Sequence, residues 1–346
     1  MSNYIIRRLL QAFFLLFVLS IVMFVLVNLV PGGPLAGHGQ SRHVRPERIA
    51  ALKRQFGLDK SLPEQYLIWL AGNDWMRVDA DGDGIEESYG TRRGVLRGDF
   101  GFSFRTRKPV LGEIALRLPN TIYLMSVTLL VALMLAIPAG VISAVRQYSK
   151  FDLTVTTFSF AGQAIPEFWL GLILILVFYA WLDNPFTGEP LLPPGGMYTL
   201  GEPFSLWDRI QHLILPVTAG ALGWMAWYSR FLRSSMLDVV HQDYLRTARA
   251  KGLAERAVIY RHALRNALIP LVTMLALDMP YIITGAVFVE MIFAWPGMGR
   301  LYYQSALDRD YPVLMAILIL SAGFIIISNL VADLLYAVLD PRIRYE

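Results

Sequence analysis

The chain has 346 residues, 55% of them hydrophobic and 17% charged, with a mean hydropathy of +0.47. A soluble domain carries about 25% charged and about 45–50% apolar residues, so these proportions point to a membrane protein and exclude a disordered chain or a fibrous repeat. Net charge is +4 and cysteine is absent, which removes disulfides, thiol catalysis and cysteine-bound metal.

The first element is an apolar run, Leu9 to Val30, uncharged over 22 residues. At about 1.5 Å per residue it reaches across a bilayer. Arg7 and Arg8 precede it, and Pro31-Gly32-Gly33-Pro34 follows where a signal peptide would have a small-residue cleavage site. A retained helix is expected. Residues 31–116 then mix charged, polar and apolar residues and read as a small folded domain outside the membrane. Within it, Asp79, Asp81 and Asp83 followed by Gly84 and Glu87 have the spacing of oxygen ligands in a calcium loop. Gly90 stands where such a loop ends in Glu, and a solvated acidic turn is the other reading.

Five further runs follow. Leu118 to Val145 is uncharged, Leu153 to Leu182 carries only Glu167, and Leu213 to Ser229 is uncharged over 17 residues. Ala267 to Val289 carries only Asp278, and Tyr311 to Leu339 only Asp333. The expectation is an all-α integral membrane protein with six transmembrane helices. Pro138, Pro166 and Pro280 lie inside spans and each tends to kink its helix. The connection near Arg146 and Lys150, the loop from Arg230 to Arg265 and the tail with Arg342 and Arg344 are basic, whereas residues 183–211 have one Arg against four acids. Basic short loops stay in the cytoplasm, so both termini are expected inside. The 31–116 segment holds 13 Lys or Arg, but loops longer than about 60 residues cross largely regardless of charge.

An isolated charge in a span costs about 2.5–3.5 kcal/mol and should face protein or water. Asp278 and Glu167 are therefore candidates for a polar translocation path, or for satisfied structural hydrogen bonds. Asp333, one turn from Asn329, reads as a helix-packing group. Glu290, near the outer end of the fifth span, reads as a contact to a binding protein or a neighbouring loop. The chain has no G-x-x-x-x-G-K-[ST] loop, no H-E-x-x-H and no Gly-x-Ser-x-Gly, and its five His are scattered. No catalytic constellation is visible, and any use of ATP needs a different chain.

The basic loop carries the main functional signal. Asp243 is placed to cap a short helix, Tyr244 to Lys251, whose last turn holds Arg249 and Lys251 as the helix dipole favours. Gly252 suits the left-handed position that ends a helix. A second helix is expected from about Ala254 to Asn266. Thr247, Ala248 and Ala250 are small enough to admit another surface. Attraction to anionic lipid would explain the charge alone; a docking helix for a partner protein also explains the small residues and the glycine.

The stretch Asp243 to Leu253, D-Y-L-R-T-A-R-A-K-G-L, resembles the signature loop of ABC importer membrane subunits, in particular the B-type permeases of dipeptide and oligopeptide importers. The resemblance extends to Tyr4 to Leu10, Arg117-Leu118-Pro119-Asn120-Thr121, Ile165 to Trp169, Arg261 to Asn266, Glu290 to Arg300, Asp310-Tyr311-Pro312 and Leu339 to Arg342. It implies a type I importer-like permease in a bacterial inner membrane. Asp243, Tyr244, Arg246, Thr247, Ala248, Arg249, Ala250, Lys251 and Gly252 would form the coupling helix seated on an ATPase. The implied partners are a second permease, two ATPases that bind ATP and Mg, and an extracytoplasmic substrate-binding protein. Peptides are the implied cargo; nickel chelates, glutathione and some sugars are served by the same family. A proton-coupled secondary transporter using Asp278 and Glu167, or a membrane receptor, are the readings that need no ATPase. The division expected is 1–30 for the first helix, 31–116 for the outer domain with an insert near 72–93, and 117–346 for the permease core with its coupling loop at 230–266.

Overall fold

Long apolar runs become helices in this computed structural model, which describes residues 2–30, 59–78 and 88–339. Helices α1 (Ser2–Leu29) and α2 (Leu62–Ala71) precede an antiparallel hairpin stem, β1 (Arg77–Val78) and β2 (Ser88–Tyr89). Then come α3 (Val110–Val145), α4 (Lys150–Ala164) and α5 (Glu167–Ile175), the last continuing as a π-helical turn, Leu176–Trp181. Helix α6 (Leu206–Val240) is followed by the short α7 (Asp243–Ala250). A turn, Glu255–Ala257, and a π-helical segment, Val258–Ala263, lead into α8 (Leu264–Thr284). The last are α9 (Val287–Ile292), α10 (Met298–Leu307) and α11 (Tyr311–Leu339).

Among the described residues, four helices are long and apolar enough to cross a membrane, or five if α4 and α5 form one span. Those two helices meet at 99°, so the expected single run from Leu153 to Leu182 is broken. The cause is Pro166, which forces Ile165 into an extended conformation (φ −78°, ψ 122°) and caps α5. Pro138 and Pro280 leave their helices unbroken. Helix α6, which contains the expected run Leu213 to Ser229, is outside that count of apolar helices. It packs against α4, α5, α8 and α9, and a helix surrounded by protein has less need of an apolar face.

The chain divides into two compact units, residues 1–117 with 301–323, and residues 118–300 with 324–346. In the first, Phe24, Trp69 and Met315 are buried together with Tyr66 and Ile319 against them. The Tyr66 ring stands edge-on to Phe24 at 5.4 Å, and its hydroxyl meets Ser20 Oγ at 2.8 Å. Asp310 accepts the Ser103 hydroxyl and, at 2.9 Å, the Phe104 N–H. At the hairpin base, Asn73 and Arg92 exchange hydrogen bonds at 2.9 and 3.0 Å. The Arg97 guanidinium grips Asp74 and holds its carboxyl below the usual carboxylate range.

In the second unit, one cluster gathers Tyr228, Leu232 and Met236 of α6 with Val141, Leu245, Val258 and Leu271. Another gathers Leu213, Leu215 and Val217 with Leu124, Val289, Phe293 and Trp295. Helix α6 thus runs through both. It is pinned to α4 where Arg233 donates to Asp152 from Nε at 2.7 Å and Nη2 at 2.8 Å, while Tyr148 N–H donates to the same carboxylate at 2.9 Å. Asp152 is 2% exposed. Replacing it with Ala leaves a charged, mostly covered guanidinium without its acceptor, which is expected to cost about 3 kcal/mol. Thermal unfolding of the detergent-solubilised variant should show a lowered midpoint, and Asp152→Asn, which keeps one acceptor, a smaller drop.

Candidate functional site

The basic loop is a built surface. Gln242 takes the extended conformation that caps α7 (φ −72°, ψ 145°), so Asp243 is the first helical residue and not the cap expected from sequence. Its charge still lies in the first turn, where the helix dipole favours it. Leu245 and Ala248, three residues apart, are buried on one face of α7, among Leu232, Met236, Val258 and Ala263. Ala248 therefore turns inward, away from the small-residue patch it was expected to share with Thr247 and Ala250. Asp243, Tyr244, Arg246, Thr247, Ala250, Lys251 and Gly252 face outward, with Arg249 partly covered.

Two side-chain contacts fix the far side of the loop. Asn266 Nδ2 donates to the Tyr244 hydroxyl at 2.7 Å, and Arg249 Nη2 pairs with Glu255 at 3.0 Å across the glycine turn. Gly252 has φ +77° and its N–H donates to Arg249 O at 2.9 Å, the left-handed stop expected there. The second helix differs from expectation. It does not end at Asn266; the turn at Glu255 and the π segment run on into α8. Past the Lys251–Ala254 turn, the loop is thus the start of a helix that runs on from Glu255 to Thr284.

A second site joins two motifs that are far apart in sequence. Helix α8 stops at Gly285 (φ +80°), where a side chain would collide with Glu290 and Thr121. Glu290 is completely buried. Its carboxylate accepts the Thr121 hydroxyl at 2.8 Å and the Arg300 N–H at 3.0 Å. Thr121 Oγ1 in turn accepts the Met298 N–H at 2.7 Å. Asn120 donates to Pro296 O at 2.9 Å, and Trp295 Nε1 donates to Asn120 O at 3.0 Å. Of the two contacts expected for Glu290, the neighbouring loop is the one observed, since it knots the α8–α10 connection from inside; its complete burial leaves it no surface to offer a binding protein.

The third feature is a cavity of about 240 Å³ lined by Met125, Thr128, Glu167, Gly220, Trp224, Tyr281, Gly285, Ala286 and Val289. Glu167 is half-buried and reaches it from the first turn of α5. Asp278 does not line it. Its Oδ2 accepts the hydroxyl of the buried Tyr228 at 2.6 Å, and Tyr228 stands edge-on to Trp224. The two candidate carboxylates thus lie on either side of one aromatic pair.

The proposed calcium ligands Asp79, Asp81, Asp83 and Glu87 fall outside the described residues; among the described residues no cluster of three metal-ligating side chains occurs. Sequence reasoning missed the anchoring role of Leu245, legible only as its spacing with Ala248, and the Arg249–Glu255 clip across Gly252. It also missed the pairing of Thr121 with Glu290, although each stood in a motif of its own.

Residues 136–345 match the family model described as the binding-protein-dependent transport system inner membrane component, and residues 1–125 match the model of its N-terminal part. Full-length relatives agree. The oligopeptide transport system permease protein AppB of Bacillus subtilis is 44% identical over 346 residues, covering 100% of both chains. The dipeptide transport system permease protein DppB of Escherichia coli K12 is 36% identical over 363 aligned positions, again 100% of both. The glutathione transport system permease protein GsiC of Escherichia coli O1:K1 is 37% identical over 350, with the same coverage.

Glu290→Ala strips the acceptor from the Thr121 hydroxyl and the Arg300 amide in a dry site, at about 1–3 kcal/mol each. Glu290→Gln keeps one acceptor oxygen and is expected to lose about half as much. Thermal unfolding of both variants in detergent checks the order; equal loss would show that the hydrogen bonds are not the source.

Proposed function

The chain belongs to the family of binding-protein-dependent transport system inner membrane components, and on that premise we propose how it works. It is the membrane-spanning permease of an ABC importer that carries di- or oligopeptides, the cargo named for its relatives AppB and DppB. The relative named for glutathione, itself a small peptide, supports a second reading within the family, another small solute of that kind.

Six spans are proposed, with α4 and α5 together forming the third and α6 supplying the fourth. Both termini and the basic loop face the cytoplasm, and residues 31–116 face outward. A second permease completes the path, two ATPase subunits hydrolyse ATP, and a binding protein delivers the peptide. This chain holds no phosphate loop, so its own work is mechanical.

The observation that carries the mechanism is the seating of α7. Its inner face is locked into the permease core through Leu245 and Ala248, and its outer face is free to enter a groove of an ATPase. When ATP draws the ATPases together, α7 moves with them. Because residues 255–284 are helical from the loop onward, the displacement passes to α8, whose Tyr281 lines the Glu167 cavity. Alternating access follows from that coupled movement.

Two measurements test this. Purification of the chain from its own membrane should bring with it a second permease and phosphate-loop ATPases. In the assembled complex, Gly252→Val forces a β-branched residue into the left-handed region, at about 1–2 kcal/mol, while its Cβ enters open space with no neighbouring atom within 4 Å. The variant is expected in the membrane at normal level, with peptide uptake reduced at least tenfold and ATP hydrolysis retained. Normal uptake would sink the coupling assignment.

A further inference from the structure

The Glu167 carboxylate has no hydrogen-bond or ion-pair partner among the described residues, although the cavity that holds it is walled by protein. Pro166 starts α5 afresh, so Glu167 stands in the first turn of a helix, the end whose dipole favours an anion. Two aromatic side chains share the lining, Trp224 from α6 and Tyr281 from α8, together with Thr128 of α3. Thr128 donates its hydroxyl to Leu124 O at 2.8 Å, so its oxygen has only lone pairs to offer a guest. Gly220 keeps the space open, since a Cβ there would meet Thr128 Cγ2 at 3.0 Å and Glu167 Oε1 at 3.6 Å.

Carboxylate, hydroxyl lone pairs and aromatic faces all attract a cation and repel a carboxylate. One carboxylate and one hydroxyl are too few oxygen ligands for a hard metal ion, which takes six to eight. The cavity, about 240 Å³, falls below the roughly 300–1,000 Å³ that encloses a whole ligand. It suits one end of a longer molecule. We infer that the Glu167 cavity seats the N-terminal ammonium of a peptide in transit. This deepens the peptide reading above and rests on it. The ammonium pairs with Glu167 and lies against Trp224 and Tyr281, and the rest of the peptide extends out of the cavity.

The test uses the assembled importer with its binding protein in ATP-loaded proteoliposomes and trialanine as the probe. Glu167→Gln keeps the side chain's shape and removes its charge. The expected result is a KM for uptake raised at least tenfold with kcat changed less than threefold, and Glu167→Asp restoring KM to within threefold of wild type. A glutamine variant whose KM stays within twofold of wild type overturns the ammonium seat, as does a loss that Asp shares equally. If Glu167→Gln fails to co-purify with the companion permease, Trp224 decides: Trp224→Leu raising KM while Trp224→Phe does not supports the seat. Unchanged KM in both would make Glu167 an inter-subunit ion pair and overturn it. Failure of the wild-type importer to carry trialanine overturns the peptide reading itself, whatever Glu167 does.

Discussion

Backbone that leaves the helical conformation in a buried place takes amides and carbonyls away from water, at several kcal/mol for each group that finds no partner. Helix α8 stops at Gly285 under that constraint, and the knot around Glu290 is the answer. The chain turns sharply enough for Trp295 N–H to reach Glu290 O at 2.8 Å. Asn120 and Thr121 of α3 then supply the hydrogen bonds that the irregular stretch before α10 lacks. The closure reaches further. Phe293, buried by this turn, lies against Gly171 of α5, and its carbonyl accepts the Gly196 N–H at 2.7 Å. One buried carboxylate thus sets α3, α5, α8 and the 194–197 segment in register, and the Glu167 cavity is framed by three of these elements.

The attachment of α7 shows which interaction is decisive when two compete. The Arg249–Glu255 pair has an attractive geometry, but Glu255 is exposed and Arg249 only partly covered, and such surface pairs contribute about 0–1 kcal/mol. Leu245 is completely buried, and burying a leucine contributes about 1.5–3 kcal/mol. Apolar anchorage therefore holds the helix, and the ion pair trims the angle of the turn. This division suits a helix proposed to transmit movement. A buried anchor is insensitive to salt, whereas an outward face rich in charge and small side chains can engage and release a partner.

Much of the helical layout was legible in the sequence, because apolar run length reports directly on helices long enough to cross a membrane. The glycine stop at Gly252 and the Pro166 break follow from backbone sterics alone. What the sequence could not display was pairing. Asn120-Thr121, Glu290 to Arg300 and Asp310-Tyr311 each stood out as a motif, yet nothing local says that the first two touch or that Asp310 meets Ser103. The burial of Glu290 was hidden for that reason: a lone carboxylate near a span end looks like surface until Thr121, 169 residues away in sequence, is in view. Ala248 was misplaced for the opposite reason. Smallness suits both a docking face and a tight core, and only the position of Leu232 and Val258 decides between them. The separation of Glu167 from Asp278 depends on how α6 places Trp224 and Tyr228, which no spacing rule supplies.

The hairpin stem has a consequence of another kind. Asn73 and Arg92 close their hydrogen bonds below it, and Arg97 ties Asp74 to Ala71 O beside it, so the chain enters and leaves the Arg77–Tyr89 stem at a fixed spacing. Doubling a loop's length costs only about 0.6 kcal/mol in closure entropy, so a stem held closed from below tolerates a longer connection between its strands. The stem is therefore a graft point. A fluorescent reporter or an affinity tag inserted between β1 and β2 is expected to leave the contacts below the stem intact.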